Sequence, residues 1–190
     1  MRTVAALLAV ILLAMAALIL SSCGSHELFR SGSSSYLNGG FELTDDGYPV
    51  NWAFGPNPKT TDSFSVFLDT EVHIAGTQSL RIESSAASAT KVIRSQRIPV
   101  SGGTTYRVAF SAMTEGCTLR VRRTVMDSSG TTNMRADEIA VPKGTVEGWQ
   151  YFGEALAIAP GEAKVFLTFL VDGVGTLWCD AVTIEEELSS

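Results

Sequence analysis

The chain has 190 residues, with 14 Lys+Arg against 20 Asp+Glu and a formal net charge of −6. That acidic balance excludes the basic footprint of a nucleic-acid binder. The length suits one domain with its own core, and the hydrophobic fraction of 45% is raised by one apolar run near the N-terminus.

That run opens the chain. Arg2 supplies a short positive start, residues 4–20 carry no charge, and Leu20-Ser21-Ser22-Cys23 follows. Taken as it stands, the run is a single anchor helix; the order of charge, apolar run and small residues is that of a cleaved secretory signal. Leu-Ser-Ser-Cys resembles the bacterial lipobox. The resemblance implies a signal peptide over 1–22 and a lipid on Cys23 that holds the protein to a membrane. With Gly24 rather than Asp after the cysteine, it further implies the outer membrane or cell surface. Residues 23–35, rich in Gly and Ser, read as a flexible tether, and the folded domain is expected over 36–187.

Two thiols remain, Cys117 and Cys179. The exported compartment permits a disulfide, and two buried free thiols are equally open. Neither has a neighbouring histidine or a Cys-x-x-Cys partner, which argues against zinc.

Along the domain, 44–49 (TDDGYP) is turn-rich, and Trp52 and Phe54 follow. Strands are predicted at 63–69, 79–84 and 91–100. At 105–113 the alternation puts Tyr106, Val108, Phe110 and Ala112 on one face and Arg107, Ala109, Ser111 and Met113 on the other. A strand at 118–127 sets Leu119 and Val121 against Arg120 and Arg122. Residues 134–148 read as a polar connection without period. Strands at 149–158, 163–172 and 177–185 close the chain. About nine short strands with Gly-rich turns and no helical period predict an all-β sandwich. The side-chain period of 2 places Asp180 on the face of Val182 and Ile184. If that is the core face, the carboxylate needs a partner.

The order of landmarks resembles the jelly-roll carbohydrate-binding modules of the family 4, 9 and 22 type, within the galactose-binding-like superfamily. Asn38-Gly39-Gly40-Phe41-Glu42 matches their opening stretch, and Pro49-Val50-Asn51-Trp52 their Pro-x-x-Trp. The run from His73 through Gly76 to Ser79-Leu80-Arg81-Ile82 matches their turn and strand, with one extra residue before Gly76. Residues 105–112, Trp149 with Phe152, Leu156 and Ile158, and the closing strand with Ala181 in place of a second Asp complete the series.

The resemblance implies a structural calcium joining the first and last strands, with Glu42 and Asp180 as side-chain ligands and backbone oxygens near Asn38 and Gly76 filling the shell. The alternative is that Asp180 pairs with a base or caps backbone amides. For a glycan, the candidates are Arg107, Arg120, Arg122, Trp52 and Tyr151, with Trp149 beside them. Rings would cover sugar faces and guanidiniums would take hydroxyls or carboxylates. By family position both tryptophans also read as core. If their strands share a sheet, the three arginines line one face; they read equally as a solvated face paired with Glu and Asp. No Gly-x-Ser-x-Gly elbow or His-Glu-x-x-His motif is present, so no enzyme is expected. The sequence reading is a lipid-anchored, non-catalytic envelope protein that binds a polysaccharide. Its competitor is a structural lipoprotein that contacts an envelope protein instead.

Overall fold

The computed structural model describes residues 34–58, 62–87 and 90–187. The lipobox, Cys23 and most of the tether lie outside the described residues. After one helical turn at Ser34–Leu37 the described residues form thirteen strands. β1 (Thr44–Asp45) and β2 (Tyr48–Pro49) make a small hairpin inside the turn-rich segment.

One sheet runs β10-β9-β12-β6-β3, with β7 also on β12. It comprises β3 (Trp52–Gly55), β6 (Lys91–Ser95), β7 (Ile98–Pro99), β9 (Thr118–Asp127), β10 (Asn133–Ile139) and β12 (Glu162–Asp172). The other runs β11-β8-β13-β5-β4, from β4 (Phe64–Asp69), β5 (Ser79–Ser84), β8 (Thr105–Glu115), β11 (Val146–Ala157) and β13 (Gly175–Glu186). All strand pairs are antiparallel. The two sheets make the predicted jelly-roll sandwich.

The core follows the alternation of β8: Tyr106, Val108, Phe110 and Ala112 are buried and meet Val121, Val165, Leu167 and Phe169 of the opposite sheet. Phe110 stands edge-on to Phe169 at 5.3 Å. Each such ring, taken out of water, stabilises the fold by roughly 2–3 kcal/mol. Cys117 and Cys179 are both buried free thiols, and Cys117 Sγ contacts the Thr176 carbonyl at 3.3 Å.

Three expectations need correcting. Residues 133–139 are a strand, not a connection: β10 is an edge strand exposed along all but its last residue, so no apolar alternation marks it. Residues 91–100 form two short strands, because the pairing with β12 passes from β6 to β7. Asp180 does not share the face of Val182 and Ile184. β13 pairs Asp180 with Ser111 and then Thr183 with Ala109, so two residues on β13 oppose one on β8. This β-bulge, with Ala181 at φ 51°, turns Asp180 away from the core and returns Val182 to it.

On the side where β10 and β11 lie, an inward guanidinium closes the sandwich. Arg123, only 6% exposed, reaches Asp137 at 2.8 Å, Glu154 at 3.3 Å and the Ala155 carbonyl at 2.9 Å.

Candidate functional site

The bulge delivers Asp180 to the underside of the turn between β4 and β5. Ile74 N–H and Ala75 N–H donate to Asp180 Oδ2 at 2.9 and 3.0 Å, and Ala181 N–H to Oδ1 at 2.6 Å. Glu42 grips the same turn two residues on. Thr77 N–H and Gln78 N–H donate to Oε1 at 2.7 and 3.3 Å, and the Thr77 hydroxyl to Oε2 at 2.5 Å. The Thr77 hydroxyl and amide hold the Glu42 carboxyl below its ordinary range. Gly76 sits at φ +62° with a hypothetical Cβ 2.0 Å from Glu42 Oε1, so only glycine lets the carboxylate come this close. The first and last parts of the domain do meet here, as the sequence suggested.

The calcium expectation can be set against this geometry. A hard cation needs oxygens turned toward a common point. Here the turn aims its N–H groups at both carboxylates, each of which accepts three donors. The Asn38 side chain is likewise engaged, accepting from Leu43 N–H at 3.0 Å and donating to the Leu43 and Val50 carbonyls at 2.7 and 2.9 Å. This donor set fits an amide-held strap and does not fit a calcium cage.

The predicted sugar contacts divide. Trp52 is corrected to a core residue. It is 8% exposed, its ring centroid lies 5.2 Å from that of Phe41, and its indole N–H donates to the Asn38 carbonyl at 3.2 Å. Arg107 and Tyr151 lie together, with Arg107 Nε donating to Tyr151 Oη at 3.1 Å, on the outer face of the five-stranded sheet. Arg120 and Arg122 lie on the outer face of the other sheet. The three arginines therefore do not line one face, because β8 and β9 belong to different sheets.

The outer face of the six-stranded sheet is a trough. Val165, Leu167, Phe169 and Val171 belong to the core, so Phe166, Thr168 and Leu170 point the other way. Yet these three, with Thr124 and Met126 beside them on β9, are all under 10% exposed. The register builds a cross-strand row Glu138–Arg122–Thr168–Arg94–Ala53, small in the middle and long on the flanks. Arg120 Nε bonds Asp172 at 3.0 Å and its Nη1 meets Glu138 at 3.4 Å, while Arg122 meets Glu138 at 3.2 Å. The Thr90 hydroxyl above all, and then Arg120, hold the Asp172 carboxyl below its ordinary range against the effect of burial.

Two hollows lie in the trough on either side of Arg94. One, of about 490 Å³, is lined by Arg94, Arg97, Met126, Asn133 and Phe166 among others. The other, of about 320 Å³, lies over Ala53, Gly55 and Val92. Arg94 Cζ sits 5.1 Å from the Phe166 ring centroid. Arg94, Arg97 and Phe166 escaped the sequence reading. The apolar run of β12 hides which side faces out, and only pairing it with β9 shows that Phe166 is an outward ring.

No protein-family profile and no curated protein matches the chain. Solved structures match in fold. The enzymatically active domain of bacteriophage CBA120 tailspike protein 4 superposes with a TM-score of 0.68 at 18% identity, over 82% of this chain and 22% of that one. The C-terminal family 22 carbohydrate-binding module of Clostridium thermocellum Xyn10B gives 0.54 at 17% identity, over 82% of this chain and 96% of the module. A family 4 carbohydrate-binding module gives 0.53 at 15% identity, over 80% and 99%. The chain thus spans about a fifth of the tailspike chain and nearly all of either module, and its fold is a jelly-roll β-sandwich like that of such modules.

Proposed function

We propose that the protein is a non-catalytic glycan-binding module, with the trough on the six-stranded sheet as its binding surface. The observation that carries this is a floor of outward but buried Thr124, Phe166, Thr168 and Leu170 between arginine flanks. Such a surface offers apolar contact to sugar C–H faces and N–H donors to hydroxyls, and its hollows have the volume of a ligand site. The fold it shares with carbohydrate-binding modules supports the reading. Lipid attachment at Cys23 would hold the module at the cell envelope, where polysaccharide is at hand. A structural calcium is not part of the proposal, since backbone N–H groups and the Thr77 hydroxyl engage the oxygens of Glu42 and Asp180.

A glycan array of the full chain in mild detergent tests it, with Thr168→Trp as the blocked control. The expected result is a specific hit weakened at least tenfold by a bulky ring in the trough, with the circular dichroism unchanged. An equal signal from the variant removes the trough as the site. One observation favours the competing reading, an envelope-protein contact: Arg94 already covers the outward Phe166 ring. A blank array from folded protein would establish that alternative over this one.

A further inference from the structure

The charges in the trough are not evenly spread. Toward one end Arg120 and Arg122 share Glu138, and Arg120 also meets Asp172. The larger hollow, at the other end, presents Arg94 and Arg97, both exposed, and among the described residues no carboxylate lines it. Lys164 adds a third cation at this end, on β12 opposite Met126, with Nζ donating to the Ser129 carbonyl at 3.3 Å. The nearby Asp127 is turned aside, capping its own turn through Ser129 Oγ and Gly130 N–H at 2.7 and 2.9 Å. In a chain of net charge −6, this is a local reversal of sign.

We infer that this end of the trough is a subsite for a carboxylated sugar, a uronic acid unit of an acidic polysaccharide. The inference rests on the glycan-binding reading above. A neutral sugar would be expected to stack on an open ring, but here Arg94 lies over Phe166, so an incoming ligand meets guanidinium first. The ring contact occupies none of the Arg94 N–H donors, and a planar guanidinium fork matches a carboxylate bidentately. Arg97 supplies a second fork. Thr131 and Asn133, in the same lining, offer a hydroxyl and an amide for the ring hydroxyls. The acidic surface elsewhere repels a polyanion at long range, so recognition depends on the close contacts made at this end.

Affinity electrophoresis of the full chain against glucuronoxylan tests the assignment. The comparison polymers are the same xylan after carboxyl reduction and a sulfated xylan. The expected result is retardation by the uronate polymer that falls at least tenfold on carboxyl reduction. Arg94→Gln with Arg97→Gln should cause a loss of the same size, and these exposed positions leave folding intact. Equal retardation by native and reduced xylan overturns the carboxylate subsite while leaving glycan binding standing. Preference for the sulfated polymer overturns it in favour of a sulfate site. Retardation by none of the three, nor by any arrayed glycan, removes both this inference and the function it rests on.

Discussion

Replacing Asp180 by Asn keeps the shape of the side chain and removes its charge, beneath a turn that Glu42 and Asp69 hold at other points. The wild-type carboxylate accepts three backbone N–H groups, at 2.6, 2.9 and 3.0 Å. The amide keeps one oxygen and sets an NH₂ against donors. Hydrogen bonds to a charged group are each worth about 1.5–3 kcal/mol on removal. Ile74 and Ala75 are exposed, so water replaces part of what they lose, and the net cost comes to about 3 kcal/mol. For a domain of this size that is a fall in Tm of roughly 6–12 °C. The assay is a thermal melt of the full chain by circular dichroism, wild type and variant, each with added calcium and again with chelator. An amide-held strap predicts a wild-type Tm indifferent to both additions and the same fall in all conditions. If chelator instead lowers the wild type to the level of the variant, and the variant is then unaffected, the carboxylate is holding a cation and the reasoning is wrong.

Gly76→Ala should destabilise by about 2 kcal/mol. Part of this is the cost of a side chain at φ +62°, and part is the displacement of Glu42 from its three donors. In a Glu42→Ala background only the backbone part, about 1 kcal/mol, should remain; full additivity in denaturant melts would break the link between the two residues. Acid stability reports on Asp69. Burial opposes its charge, but hydrogen bonds from the Trp178 indole, the Val72 and Glu71 amides and Arg81 outweigh that and hold it at about 2. A depressed carboxylate adds stability that is full above its unfolded pKa near 3.8 and is lost as pH falls through the folded value. Between about pH 4 and 2 the wild type should therefore lose about 1–2 kcal/mol that Asp69→Asn has already lost at neutral pH. Parallel pH profiles for the two proteins would contradict this.

The sandwich was legible because β8 alternates cleanly, and Tyr106, Val108, Phe110 and Ala112 land in the core that they predict. β10 was not legible: a solvated edge needs no apolar face, and the sequence there shows none. That Glu42 and Asp180 come to one turn was suggested by a resemblance at the two ends of the domain, yet the contact chemistry was not. It turns on a bulge at Ala181, where alanine at positive φ leaves no mark in the sequence as glycine would. The arginines show the limit of strand-by-strand reading. Each was rightly set opposite its apolar neighbours, but whether Arg107 shares a surface with Arg120 and Arg122 depends on which sheet each strand joins. That is a long-range fact. Phe166 was hidden by the converse problem, since β12 is apolar on both faces and period alone names no outside.

The entry of the chain into the domain has a mechanical meaning. Val182 N–H donates to the Gly39 carbonyl at 3.0 Å, and a Cβ on Gly39 would lie 1.8 Å from the Val182 carbonyl oxygen. Backbone is thus pressed on backbone where the domain begins. β13 is the middle strand of its sheet, flanked by β8 and β5. A pull delivered through the N-terminal side therefore bears on the central strand of the sheet by way of the Gly39–Val182 bond. That bond must part before the load passes further along the chain, so the join between entry segment and sheet is the first link to be tested.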